Sequence, residues 1–138
     1  MIAFLDASAL IYLVDGEAQW AEATQATLQQ LAVGAPELTL AVSRLSVLEC
    51  RLAPLRRGDQ ASLDRFEALL SQPDLLVVEL SATVVELATQ LRAKHGLRTP
   101  DALQAACCLD LGPEAVMITG DAGFQRVQGL QVCLIAGA

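Results

Sequence analysis

The sequence predicts a three-layer α/β/α domain built on a mainly parallel central sheet of about five strands. Short runs that are apolar throughout alternate with longer segments of helical spacing. A strand that is apolar at every position is one covered on both faces, as parallel sheets are. The length, 138 residues, suits one core. No repeat, low-complexity tract or linker divides the chain, so residues 1–138 read as a single domain.

The elements follow in order. Ile2–Leu5 is the first apolar run and ends at Asp6. Ala9, Leu10, Leu13 and Val14 then repeat with helical spacing. Glu17–Val33 reads as a second helix, closed by Gly34 and Pro36. Glu37–Val42 has strand character. Ser43 can cap a helix expected to run to about Leu52, because Pro54 stands just beyond. Asp59 starts another helix, which runs to about Ser71 before Pro73. Leu75–Leu80 is a strand, and Ser81 caps a helix over Ala82–His95 that Gly96 terminates. In Thr99-Pro100-Asp101, Thr99 is the expected N-cap, with Pro100 at the first helical position. That helix reaches about Leu111. Ala115–Thr119 is a strand, Asp121-Ala122-Gly123 a turn, and Val132–Ile135 the last strand.

Apolar residues make up 54% of the chain and mean hydropathy is +0.45. One Trp, one Tyr and three Phe leave the core to Leu, Val, Ile and Ala. Much of the chain must therefore be interior or covered by a partner. No membrane span accounts for this, because charges break every apolar run well short of the ~20 residues a spanning helix needs. The opening Met1–Asp6 lacks a basic n-region, which argues against a secretory signal. Cys50, Cys107, Cys108 and Cys133 match no zinc spacing and are expected to be free, mostly buried thiols in a reducing cytoplasm.

The net charge is −7 and the isoelectric point about 4.5. A broad basic nucleic-acid surface is excluded by that balance, unless metal ions supply positive charge at the site. The basic residues fall in two groups: Arg44, Arg51, Arg56, Arg57 and Arg65, then Arg92, Lys94 and Arg98.

Four acids carry the candidate chemistry. Ligands of an open parallel sheet bind beyond the carboxyl ends of its strands. Asp6 and Asp121 follow two such ends, although each also suits a plainer role, as a helix cap and a turn residue. Glu49 lies along the apolar stripe of Leu45, Leu48 and Leu52, where a carboxylate is costly unless paired or metal-bound. A capping box over Ser46–Glu49, or an ion pair with Arg44 or Arg51, would also account for it. Asp101 in a first helical turn is favourable for the helix dipole alone. Taken together, four carboxylates at one edge repel each other, and a hard divalent cation, Mg²⁺ or Mn²⁺, would neutralise them. His95 reads as a helix-end charge.

The segments Ile2–Leu10, Ser46–Glu49, Thr99–Ala102 and Ile118–Phe124 resemble, in that order, motifs of the PIN-domain family, and within it of VapC toxins of toxin–antitoxin pairs. The likeness spans essentially the whole chain. It implies a Mg²⁺- or Mn²⁺-dependent ribonuclease that leaves a 5′-phosphate and a 3′-hydroxyl. Asp6, Asp101 and Asp121 would hold metal, and Glu49 would complete the shell or orient the attacking water. Ser8 and Thr119 would support the acids. Ala7 and Gly123 depart from the pattern: relatives commonly carry a hydroxyl residue at the first position and many carry another acid at the second.

The resemblance also implies a VapB-like antitoxin and a homodimer. Trp20, Leu28 and Leu31 would either line part of the antitoxin groove or pack in the core. Arg44 and Arg51, within the Arg44–Arg65 cluster, would contact phosphates flanking the cut or form an ordinary solvated surface. Two rivals stand beside the nuclease: a PIN fold that has lost catalysis and serves as a binding module, and a phosphate-accepting receiver domain. The receiver lacks its acid pair, an Asp after the third strand and a late Lys. No Gly-rich fingerprint follows the first strand, which disfavours a nucleotide-binding Rossmann enzyme.

Overall fold

In the computed structural model of the chain, which describes residues 1–136, alternate residues of each strand point to opposite faces of one sheet. The strands are β1 (Ile2–Leu5), β2 (Thr39–Ser43), β3 (Leu76–Val78), β4 (Ala115–Thr119) and β5 (Val132–Leu134). They lie in the order β3-β2-β1-β4-β5, and every pairing is parallel. Receiver domains instead use the order 2-1-3-4-5. The expected span of 1–138 includes residues 137–138, which lie outside the described residues.

The helices are α1 (Ala7–Asp15), α2 (Ala18–Gly34), α3 (Arg44–Arg57), α4 (Gln60–Leu70), α5 (Ala82–His95) and α6 (Thr99–Asp110). Phe4, Ala41 and Met117 face one side of the sheet, where Val84, Ala88 and Leu91 of α5 and Ala102, Ala105 and Ala106 of α6 cover them. Ala3, Leu5, Val42 and Ile118 face the other, under Leu10 of α1, Cys50 of α3 and Phe66 of α4. Burial on both faces explains why the strands read as unbroken apolar runs.

The chain winds from β1 through β2 to β3, then crosses back to β4 on the far side of β1. The carboxyl ends of β1 and β4 therefore border a switch point, where doubly wound sheets open a crevice. Asp6 follows β1 and Asp121 follows β4. The backbone joins the two ends, with Asp6 N–H donating to the Ile118 carbonyl at 3.2 Å.

Several boundaries differ from expectation. Helix α3 does not stop near Leu52 but continues through Pro54 to Arg57. The proline ring fixes φ at a helical value, so its cost is one missing donor and local crowding. Leu55, Arg56 and Arg57 still complete the last turn, and Gly58 ends it at φ +69°. Thr99 is not the N-cap of α6. Arg98 holds that position, and the Thr99 hydroxyl accepts from Arg92 Nη1 at 2.7 Å instead. The turn after β4 is a short 3₁₀ helix, Ala122–Arg126, capped by Asp121.

Leu28 and Leu31 pack against the core, and Trp20 stacks on Tyr12 with centroids 5.2 Å apart, so these residues serve packing. Cys50, Cys107, Cys108 and Cys133 are free thiols. Burial pushes Cys50 up to about 11 and Cys107 and Cys108 to about 12, which keeps these three protonated. Among the described residues no helix is long and apolar enough to cross a membrane.

Phe66 is 1% exposed and anchors α4 to the sheet. Phe66→Ala is expected to cost about 3–5 kcal/mol. In urea titrations the midpoint should fall with the slope unchanged; a loss under ~1 kcal/mol would contradict this packing.

Candidate functional site

Asp6 is the N-cap of α1, and its main chain leaves the central strand in extended conformation. Its side chain is 5% exposed. Oδ1 accepts from Ala9 N–H at 2.9 Å and from the Ser8 hydroxyl at 2.7 Å, and Oδ2 accepts from the Thr119 hydroxyl at 2.5 Å. Burial drives its pKa above the ordinary aspartate value. Those three donors oppose the rise, and the Asp121 charge adds to it.

The hydroxyls beside Asp6 reach across to β4. Thr119 Oγ1 also accepts from Asp121 N–H at 3.0 Å, and Ser8 Oγ accepts from Gly120 N–H at 3.4 Å. Asp121 turns Oδ1 to Gly123 N–H at 2.8 Å. A Cβ at position 123 would stand 3.0 Å from that oxygen, so glycine lets the cap close tightly.

Glu49 comes from α3 and Asp101 from the first turn of α6. Both are half-buried. Burial raises the Glu49 pKa, the Gln104 amide beside it opposes the rise, the charges of Asp101 and Asp6 add to it, and Arg98 lowers it. Asp101 Oδ2 accepts from Arg98 Nε at 3.2 Å. Asp101 and Asp121 line a cleft of about 190 Å³ with Leu97, Gly123, Phe124 and Arg126. The four acids thus share one electrostatic neighbourhood, since Asp6 responds to Asp121 and Glu49 to Asp101 and Asp6.

They do not form a ready-made cage. Among the described residues no three Asp, Glu, His or Cys side chains converge closely enough to hold a metal. Asp101 leans to Arg98 and Asp121 to its own turn, as mutually repelling carboxylates do when other donors are near. The donor set still suits a hard cation, because it is all carboxylate.

Arg44 forks onto Glu79, and Arg57 and Arg65 both pair with Asp15. Arg51 donates to the Val47 carbonyl at 2.7 Å and lines an apolar hollow of about 590 Å³ between α3 and α4. The Arg44–Arg65 cluster is thus largely engaged in surface pairs. Arg98 bonds Asp101, and Arg126 lines the cleft with Asp101 and Asp121. Sequence reasoning did not single out Arg126 or Gln104. For Gln104 the signal was available, as the one amide in the Ala-Leu-Gln-Ala-Ala stretch after Asp101.

A family model described as PIN domain matches residues 3–130. No curated protein matches the chain. Among solved structures, VapBC2 from Rickettsia felis, bound to a DNA fragment from its promoter, is similar with TM-score 0.74 and 22% identity, over 97% of this chain and 98% of that one. VapBC-1 from nontypeable Haemophilus influenzae gives TM-score 0.71 and 22% identity, over 96% and 97%. A toxin-antitoxin complex from Klebsiella pneumoniae gives 0.70 and 22%, over 95% of each chain. At these identities the likeness shows the fold.

Thr119→Val removes a donor from the buried Asp6 carboxylate and is expected to destabilise by about 1–3 kcal/mol at neutral pH. Asp6 has a raised folded pKa, so its ionisation penalises the fold above that pKa and the penalty fades as pH falls through it. The gap between wild type and variant should therefore narrow towards the acid side in metal-free melts. A gap that stays constant or widens there would count against this account of Asp6.

Proposed function

The chain belongs to the PIN-domain family, and on that premise we propose that it is a Mg²⁺- or Mn²⁺-dependent endoribonuclease, the toxin of a VapBC-type toxin–antitoxin pair. The observation that carries this reading is Asp6, an acid buried at the switch point of the sheet and fixed by three donors, with Asp121 and Glu49 in its field and Asp101 in the field of Glu49.

Asp6, Asp101 and Asp121 would hold the cation. When bound, it lowers the pKa of water and stabilises charge gathering on the phosphoryl oxygens. Ser8 and Thr119 hold the Asp6 carboxylate in one orientation. Glu49 accepts the hydrogen bond that aligns the attacking water with the scissile P–O3′ bond. That bond breaks as water oxygen joins phosphorus, leaving a 5′-phosphate and a 3′-hydroxyl. Arg98 and Arg126 beside the acids are better placed than Arg44 or Arg51 to contact flanking phosphates.

The net charge of −7 suits this division, because the four acids account for more than half of it. The similar VapBC structures support a VapB-like antitoxin as partner. Leu48, Leu52 and Leu55 stand exposed along α3 and offer apolar surface to that antitoxin or to a second copy in a homodimer. Free thiols suit a reducing cytoplasm. The second reading, a catalytically silent PIN module, is favoured by one observation, that the acids do not converge into a cage.

Purified protein with Mn²⁺ or Mg²⁺ is expected to cleave RNA, and Asp6→Asn to lose about 100-fold or more, which is about 2.7 kcal/mol of transition-state stabilisation. Removal of metal with a chelator should abolish cleavage reversibly. Intact RNA under all metal conditions would leave the silent module standing. In a bacterial host without the partner, the wild-type chain should arrest growth and Asp101→Ala should not.

Metal should also stabilise. At 100 times its dissociation constant a cation adds about 2.7 kcal/mol, roughly 8 °C in melting temperature for a chain of this size. The shift should shrink as pH falls and the raised-pKa acids Asp6 and Glu49 take up protons. No shift in wild type at pH 7.5 would sink the metal site.

A further inference from the structure

We propose that Gln104 is a positioning residue for Glu49, a role that rests on the nuclease reading above. Gln104 is 3% exposed on the inner face of α6, one turn after Asp101 and flanked by Ala102, Ala105 and Ala106, each with no exposed surface. A buried primary amide is costly unless its groups find partners.

Its partners come from one ridge of α3. Ser43 Oγ donates to Gln104 Oε1 at 3.0 Å. Gln104 Nε2 donates to Ser46 Oγ at 2.8 Å and reaches Glu49 Oε1 at 3.5 Å. Ser43, Ser46 and Glu49 are spaced by three residues, so they share the face of α3 turned to α6. Both serines are fully buried.

The direction of the amide is fixed by charge and capping together. Ser43 is the N-cap of α3, and its oxygen accepts from Ser46 N–H at 3.0 Å. Its hydroxyl proton has Gln104 Oε1 as the nearer acceptor at 3.0 Å, against 3.3 Å for Ser46 Oγ. The reverse orientation would set Oε1 against the Glu49 carboxylate. Gln104 therefore presents its two N–H groups to Ser46 and Glu49, and the serines anchor it at two points. An apolar residue here would fill the space but give Glu49 nothing to hold it. The second acid of the site is thus tied to the helix that carries the third, Asp101.

Gln104→Met keeps length and burial and removes the donors. In RNA cleavage it is expected to lower kcat about 10- to 100-fold, the usual range for loss of a group that orients a metal-site residue, with KM changed less than about twofold. Placed on Glu49→Gln, it should lower kcat no further.

A metal-free thermal cycle of Gln104→Met with Glu49→Ala gives a readout independent of activity. The double variant should depart from the sum of single shifts by about 2 °C or more. Additive shifts, or kcat equal to wild type, would overturn the proposal. If Gln104→Met does not fold, Ser46→Ala, which removes one anchor, should show the same selective loss of kcat. An unchanged kcat there would likewise overturn it. If wild type cleaves no RNA with either metal, the nuclease reading fails, and the metal-free cycle still decides whether Gln104 holds Glu49.

Discussion

One carboxylate, that of Asp6, sits where the two halves of the sheet meet, and its burial sets the terms for the rest. Removing an ionised carboxylate from water costs several kcal/mol, and each charge-assisted hydrogen bond returns about 1.5–3 kcal/mol. Three donors oppose that cost, but the pKa still lies above the ordinary value, so desolvation outweighs them. Two donors come from α1 and one from β4, so the Thr119 share of the compensation is present only when the two are docked. The Asp6–Thr119 contact joins residues 113 positions apart, and fold and site are held by the same bond.

The remaining acids follow from how α/β units are wound. Parallel strands all deliver their carboxyl ends to one edge, and the helix after each strand begins there. Asp6 caps α1 and Asp121 caps the 3₁₀ turn, so each fills the plain role and would serve the proposed chemical one as well. The caps orient the side chains that the site needs. Asp101 accepts from Arg98 and Asp121 from Gly123. On the proposed reading, an anionic edge of this kind would trade stability for binding, a common tension at functional sites.

Much of this was legible in the sequence where the cause was local. The α5 boundaries were readable because Ser81 caps and Gly96 adopts φ +65°, both signals carried by single residues. Pro54 misled because proline is a breaker only where its missing donor or its ring cannot be accommodated. Thr99 misled because its hydroxyl had a better use, binding Arg92. The acids at strand ends were readable as candidates, but their separation was not, since it depends on rotamers chosen among competing donors. The pairing of Arg44 with Glu79, 35 residues away, and the reach of Gln104 to Ser43, 61 away, belong to tertiary packing and leave no local trace.

The stacked pair at the joint between α1 and α2 has an optical consequence. Trp20 is the chain's one tryptophan, and its ring lies 5.2 Å from that of Tyr12, nearly parallel. Tyr12 stands on the helix whose first residue follows Asp6. Intrinsic fluorescence therefore reports the α1–α2 joint directly. Any rearrangement at Asp6 that tilts α1 is written into the emission of a single indole, with no label attached.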